Sequence, residues 1–112
     1  YDDVLVLGSG SATHNLGELT RPDAAPPAWV REFDTWLDAT LARGDLEALV
    51  DYRRRAPHAA RNHPTEEHFF PLLVALGAAG PAPRSRLVHS SFTFGVLSMA
   101  AFSFEGQPAR KF

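Results

Sequence analysis

Hydrophobic and polar positions follow different rhythms in different parts of the chain. Residues 4–7, "VLVL", form an unbroken apolar run ended by Gly8. This pattern predicts a strand buried on both faces, as in a parallel or mixed sheet. The small residues "GSGSAT" that follow read as a loop, and "TRPDAAPPA" (20–28) as an irregular connector. From Trp29 the apolar positions are Trp29, Val30, Phe33, Trp36, Leu37 and Leu41, a spacing of three and four that marks one face of a helix. Pro26 and Pro27 can precede that helix and Gly44 can end it. Asp45 is a candidate N-cap for a second helix over 46–52. After a loop over 56–64, Thr65 is the expected N-cap of a third helix running to about residue 75, with Glu66 and Glu67 in its first turn. Pro71 falls inside that helix and predicts a kink or a split, because it cannot donate to the preceding turn. Two strand-like runs, 86–92 and 95–105, flank a turn at 93–95 that suits a hairpin. The tail from Gly106 is polar and expected to fray.

The predicted order is β, α, α, α, β, β: an α/β arrangement with a central mixed sheet flanked by helices. At 112 residues the chain allows one domain. It opens on "YDDVLVLG", with no Met and almost no lead-in to a buried strand, so an N-terminal portion is expected to be missing.

Charge and composition narrow the functional classes. A net charge of −2 leaves no electrostatic footprint for nucleic acid. The basic stretch "YRRRAPHAAR" (52–61) reads as a solvated helix end and loop. With no cysteine, disulfides, thiolate metal sites and cysteine nucleophiles are excluded, and a cytoplasmic location is expected. No apolar run approaches the ~20 residues of a membrane span, and no signal peptide is visible.

The loop after residue 7 is the first candidate site. A dinucleotide fingerprint would need a third glycine where Thr13 stands, and a P-loop would need a Gly-Lys-Ser/Thr that is absent. What remains is a strand end opening into small residues that carry His14. Ligands bind at such strand ends, although a histidine capping a turn fits the same residues. The second candidate is "NHPTEEHFF" (62–70). At the positive end of a helix His68 would stay neutral, as a metal requires, yet the same field repels a cation. Glu67 beside it offers a carboxylate, and helix capping is the competing role. His58 reads as a loop residue and His89 as a strand residue near the surface or a site mouth. Phe69, Phe70, Phe92, Phe94, Phe102 and Phe104 read as core.

Three blocks in order, "VLVLGSGSATHNL", "HPTEEHFFPLLVALGAA" and "FTFGVLSMAAFSF", resemble the C-terminal part of the class III extradiol ring-cleavage dioxygenases. The nearest branch is the 4,5-DOPA dioxygenase group of the LigB-like superfamily. The resemblance spans nearly the whole chain and implies that residues 1–112 are the C-terminal portion of a larger single catalytic domain. Its N-terminal portion, a partner of this one, would carry two further metal-binding histidines. The resemblance implies that His14 is the acid–base catalyst and His68 a metal ligand, with Glu67 as the alternative ligand. Asn15 and His63 are expected to contact substrate. The implied cofactor is non-haem Fe(II), with zinc possible in purified protein, and the implied partners are a catechol such as DOPA and O₂. Such a metal keeps positions open for both reactants. The competing readings are a non-catalytic binding protein of the same fold and a free-standing small domain, the latter disfavoured by the strand edges it would leave open.

Overall fold

The computed structural model describes residues 4–106. Helix α1 spans Ala28–Arg43 and follows Pro27. It ends as its sequence predicts: Gly44 adopts a left-handed conformation (φ 66°) and its N–H bonds the carbonyls of Leu41 and Thr40. The face it buries carries Val30, Phe33, Leu37 and Leu41. Each such side chain contributes roughly 1.5–3 kcal/mol through burial. Phe33 sits at the centre, edge-on to Tyr52 (6.5 Å) and Phe69 (6.0 Å), which in turn stack at 4.1 Å.

Asp45 caps α2 (Leu46–Val50), its carboxylate accepting from the Ala48 N–H at 3.1 Å. The helix expected over 46–52 divides at Asp51, after which α3 covers Tyr52–Arg55. The basic stretch is spent internally. Arg54 and Arg55 both bond Asp51, at 2.6 and 3.1 Å, and Arg53 donates to the His63 carbonyl at 2.7 Å. A further short helix, α4 (Ala59–Asn62), occupies the segment read as loop. Its ends are tied by tertiary bonds, which periodicity does not register.

The third long helix starts later than Thr65 predicts. Helix α5 spans Phe70–Ala78, with Pro71 in its first turn. Proline lacks only an N–H that the first turn leaves unpaired anyway, so the predicted kink does not arise. Thr65 instead donates its hydroxyl to the Glu67 carboxylate at 2.8 Å. His68 therefore lies in the turn before the helix.

Strand β1 (Arg84–His89) pairs antiparallel with β4 (Ala101–Glu105), Arg84 opposite Glu105 and Leu87 opposite Phe102. Between them β2 (Phe92–Thr93) and β3 (Leu97–Ser98) form the expected hairpin. Phe94 (φ 53°) and Gly95 (φ 74°) supply its left-handed turn. The single run expected over 95–105 thus divides into β3 and β4. Phe102 and Phe104 pack onto the helical core from the sheet.

The α/β class stands, and strand pairing among the described residues is antiparallel. The run 4–7 differs from expectation. It is assigned to no strand, and Leu5 and Leu7 are 88% and 85% exposed. A strand is buried on both faces only when neighbours flank it, and no strand among the described residues does so. Most of the frayed tail expected from Gly106 lies outside the described residues.

Candidate active site

The loop carrying His14 is fixed at successive residues. Gly8 and Gly10 run so close to the first turn of α5 and the turn before it that a Cβ on either would collide with backbone, the Pro71 carbonyl for Gly8 and the His68 carbonyl for Gly10. This close approach explains the small residues. It lets the Ser11 N–H donate to the His68 carbonyl at 2.9 Å, joining the two candidate segments directly. The Ala12 carbonyl accepts from His63 Nε2 at 2.7 Å. The Thr13 hydroxyl is fully buried, donates to the Val96 carbonyl (2.8 Å) and accepts from the Ser98 N–H (2.7 Å). It thereby bonds the loop to the β2–β3 hairpin much as a strand would. The Ser98 hydroxyl continues to Asp34 on α1 at 2.5 Å, and burial raises the Asp34 carboxyl above its ordinary range. The His14 N–H donates to the Asn62 carbonyl at 2.8 Å.

The outcome is an imidazole pair. The rings of His14 and His68 stack with centroids 3.6 Å apart and planes 20° from parallel. Both side chains are partly exposed. Burial lowers the His14 pKa first, and the neighbouring His68 lowers it further. Both effects favour a neutral ring at neutral pH. Glu67 lies 3.8 Å from His68 Nε2. Its carboxyl is held below its usual range by its own backbone N–H and by the Thr65 hydroxyl. Two imidazoles on one open surface are suitable donors for a divalent transition metal. They would be part of a ligand set: among the described residues no group of three or more His, Cys, Asp or Glu is arranged to hold a metal ion.

The other predicted site residues lie elsewhere in this arrangement. His63 has no exposed surface and is enclosed by Phe33, Tyr52 and Phe69. Its Nε2 must carry the proton, since the Ala12 carbonyl can only accept. Its Nδ1 is then a buried acceptor with no hydrogen-bond partner. Burial pushes the His63 pKa down to about 4. Its polar contact is with the underside of the His14 loop. Asn15 caps a short 3₁₀ helix, Leu16–Glu18, accepting from the Gly17 N–H at 3.1 Å. Its amide donates to Glu18 (2.9 Å) and to the Arg61 carbonyl (2.7 Å), so both donor hydrogens are occupied. His58 pairs with Glu32 (2.9 Å) and His89 with Ser91 (2.7 Å). Neither is part of the imidazole pair.

Sequence reasoning missed Thr13, Glu18, Arg61 and Asn62. Only Glu18 had a local signal: Asn15 followed three residues later by Glu is a capping-box spacing.

Comparison with known proteins places the chain. Residues 1–104 match the LigB family, described as the catalytic LigB subunit of aromatic ring-opening dioxygenase. The chain belongs to the LigB family. Among LigB-like relatives, it is 40% identical over 104 residues to "4,5-DOPA dioxygenase extradiol" of Beta vulgaris, covering 92% of this chain and 38% of that protein. It is 38% identical over 103 residues to the protein of the same name from Mirabilis jalapa, covering 90% of this chain and 38% of the relative. The chain thus spans well under half the length of these relatives. The crystal structure of the uncharacterized protein JW3007 from Escherichia coli K12 superimposes with a TM-score of 0.74 at 28% identity, covering 88% of this chain and 41% of that one.

Proposed function

We propose that this chain supplies one side of the active site of an extradiol catechol dioxygenase, with His68 as a metal ligand and His14 as the acid–base group. The observation that carries this reading is the stacked imidazole pair, built by two LigB-like blocks far apart in the sequence. A non-haem Fe(II) held there, with further ligands from outside this chain, would supply a common centre for a catecholate and O₂.

The chain's own residues do the rest. His14, kept neutral by burial and by His68, takes the proton that a catechol loses on binding and returns one later. Its backbone is fixed from three directions, so the imidazole acts from a set position. His63 braces the loop from beneath through the Ala12 carbonyl. The exposed apolar run 4–7 is where the remaining portion of the domain would add a neighbouring strand.

The test is the intact protein that carries this chain, loaded anaerobically with Fe(II) and given a catechol such as DOPA. Admission of O₂ should produce the yellow ring-opened product. His14→Ala should slow turnover by about 10²-fold or more. Normal turnover in that variant would remove His14 from the chemistry, and no product from the parent protein would leave a non-catalytic binding role.

A further inference from the structure

The His14 loop is also held from its solvent side, by a device that the proposed reaction does not use. The Arg61 guanidinium grips Glu18 with two bonds, Nε to one carboxylate oxygen at 3.0 Å and Nη2 to the other at 2.6 Å. The same guanidinium lies over the Trp29 ring, its Cζ 4.1 Å from the ring centroid. Glu18 accepts at the same time from the Asn15 amide, and Asn15 reaches back to the Arg61 carbonyl. The next residue, Asn62, takes the His14 N–H on its carbonyl and sends its own amide to the Trp29 carbonyl at 3.0 Å. Helix α4 therefore holds the chain on both sides of the His14 Cα, and Trp29 at the start of α1 anchors α4.

Exposed ion pairs ordinarily contribute little to stability. Arg61 departs from the ordinary pair in two ways. Its planar fork matches the carboxylate, and the indole restricts the fork's orientation before the pair forms. Both features select arginine over lysine, yet neither adds much to global stability. A pair of this kind, spanning the loop that bears the acid–base group, acts on geometry.

We propose that Arg61 is a positioning residue for His14, acting through Glu18 and Asn15 and clamped in orientation by Trp29. This rests on the catalytic reading of His14. Removing the clamp lets residues 14–18 move relative to His68 while the core stays packed.

The experiment uses the intact protein and the variants Arg61→Ala, Arg61→Lys and the exchanged pair Glu18→Arg with Arg61→Glu. Amide hydrogen exchange is the readout independent of activity. In Arg61→Ala the His14, Gly17 and Glu18 amides should exchange at least about tenfold faster, while core amides of α1 keep their parent rates. Iron content and melting temperature should stay near the parent values, and kcat for catechol cleavage should fall by about ten- to a hundredfold. Arg61→Lys should recover only part of the loss, and the exchanged pair little of it, because it sets a guanidinium against the Asn15 amide and a carboxylate over the Trp29 ring. Parent-like exchange at 14–18 in Arg61→Ala, or a uniform rise across the core, overturns the proposal. If the parent protein cleaves no catechol, the catalytic reading of His14 fails, and the exchange pattern alone still decides whether Arg61 holds the loop.

Discussion

Acidification should destabilise this fold through His63, and the size of the effect follows from its surroundings. The ring is fully buried among Phe33, Tyr52 and Phe69, with Nε2–H committed to the Ala12 carbonyl. Protonation would place a charge in that apolar cage and an N–H at Nδ1, where no acceptor stands. The folded pKa is accordingly pushed to about 4 from an ordinary 6.5. A lowered histidine pKa means that the unfolded state binds the proton first. Stability is therefore full above pH 6.5 and falls as pH drops toward 4. Below that both states are protonated and the loss from this group stops growing. At about 1.36 kcal/mol per pKa unit, the gap is worth about 3 kcal/mol. Urea unfolding of the intact protein and of His63→Gln, at several pH values from 7.5 to 4, reads this directly. The substitution carries its own offset, the same at every pH, which cancels in the slope. The parent should lose about 3 kcal/mol more than the variant across this range. Parallel losses in the two proteins would refute the assignment of His63 as a buried neutral ring.

Other substitutions test the platform and the core. Thr13→Val keeps the side-chain volume but strands the Val96 carbonyl and the Ser98 N–H, and should cost about 2–4 kcal/mol in urea unfolding. Thr13→Ser, which keeps the hydroxyl, should cost under about 1 kcal/mol. Gly10→Ala drives a methyl into the His68 carbonyl, so the two candidate segments must separate. The Ser11 amide, bonded to that carbonyl, should then lose its protection from hydrogen exchange. Leu37→Ala, at the fully buried centre of α1, should destabilise by about 2–5 kcal/mol without altering exchange at Ser11.

Much of the fold could be read from residue patterns, and the exceptions have physical causes. The face of α1, its glycine stop, the Asp45 cap and the hairpin turn are local features, and each is found where its residues predict it. Thr65 followed by two glutamates imitates a helix start, but Pro71 is satisfied only in a first turn, and α5 begins at Phe70. Helix α4 is four residues long, held by Asn62 and Arg61 rather than by propensity. The run 4–7 has the composition of a buried strand, but burial also requires neighbours, which the pattern of one segment cannot specify. At the site, the LigB-like blocks pointed to His14 and His68. The groups that hold them were not visible, because the key bonds involve backbone carbonyls at Ala12, Asn62 and His68. A carbonyl is present at every residue and carries no sequence signal.

In the proposed site His68, stacked on His14, donates to a metal. Metal analysis of the intact protein and of His68→Ala, both loaded anaerobically with Fe(II) and desalted, tests it most directly. The parent should retain close to one iron per chain and His68→Ala little or none, while His14→Ala, treated alike, keeps most of it. Full iron occupancy in His68→Ala would contradict it.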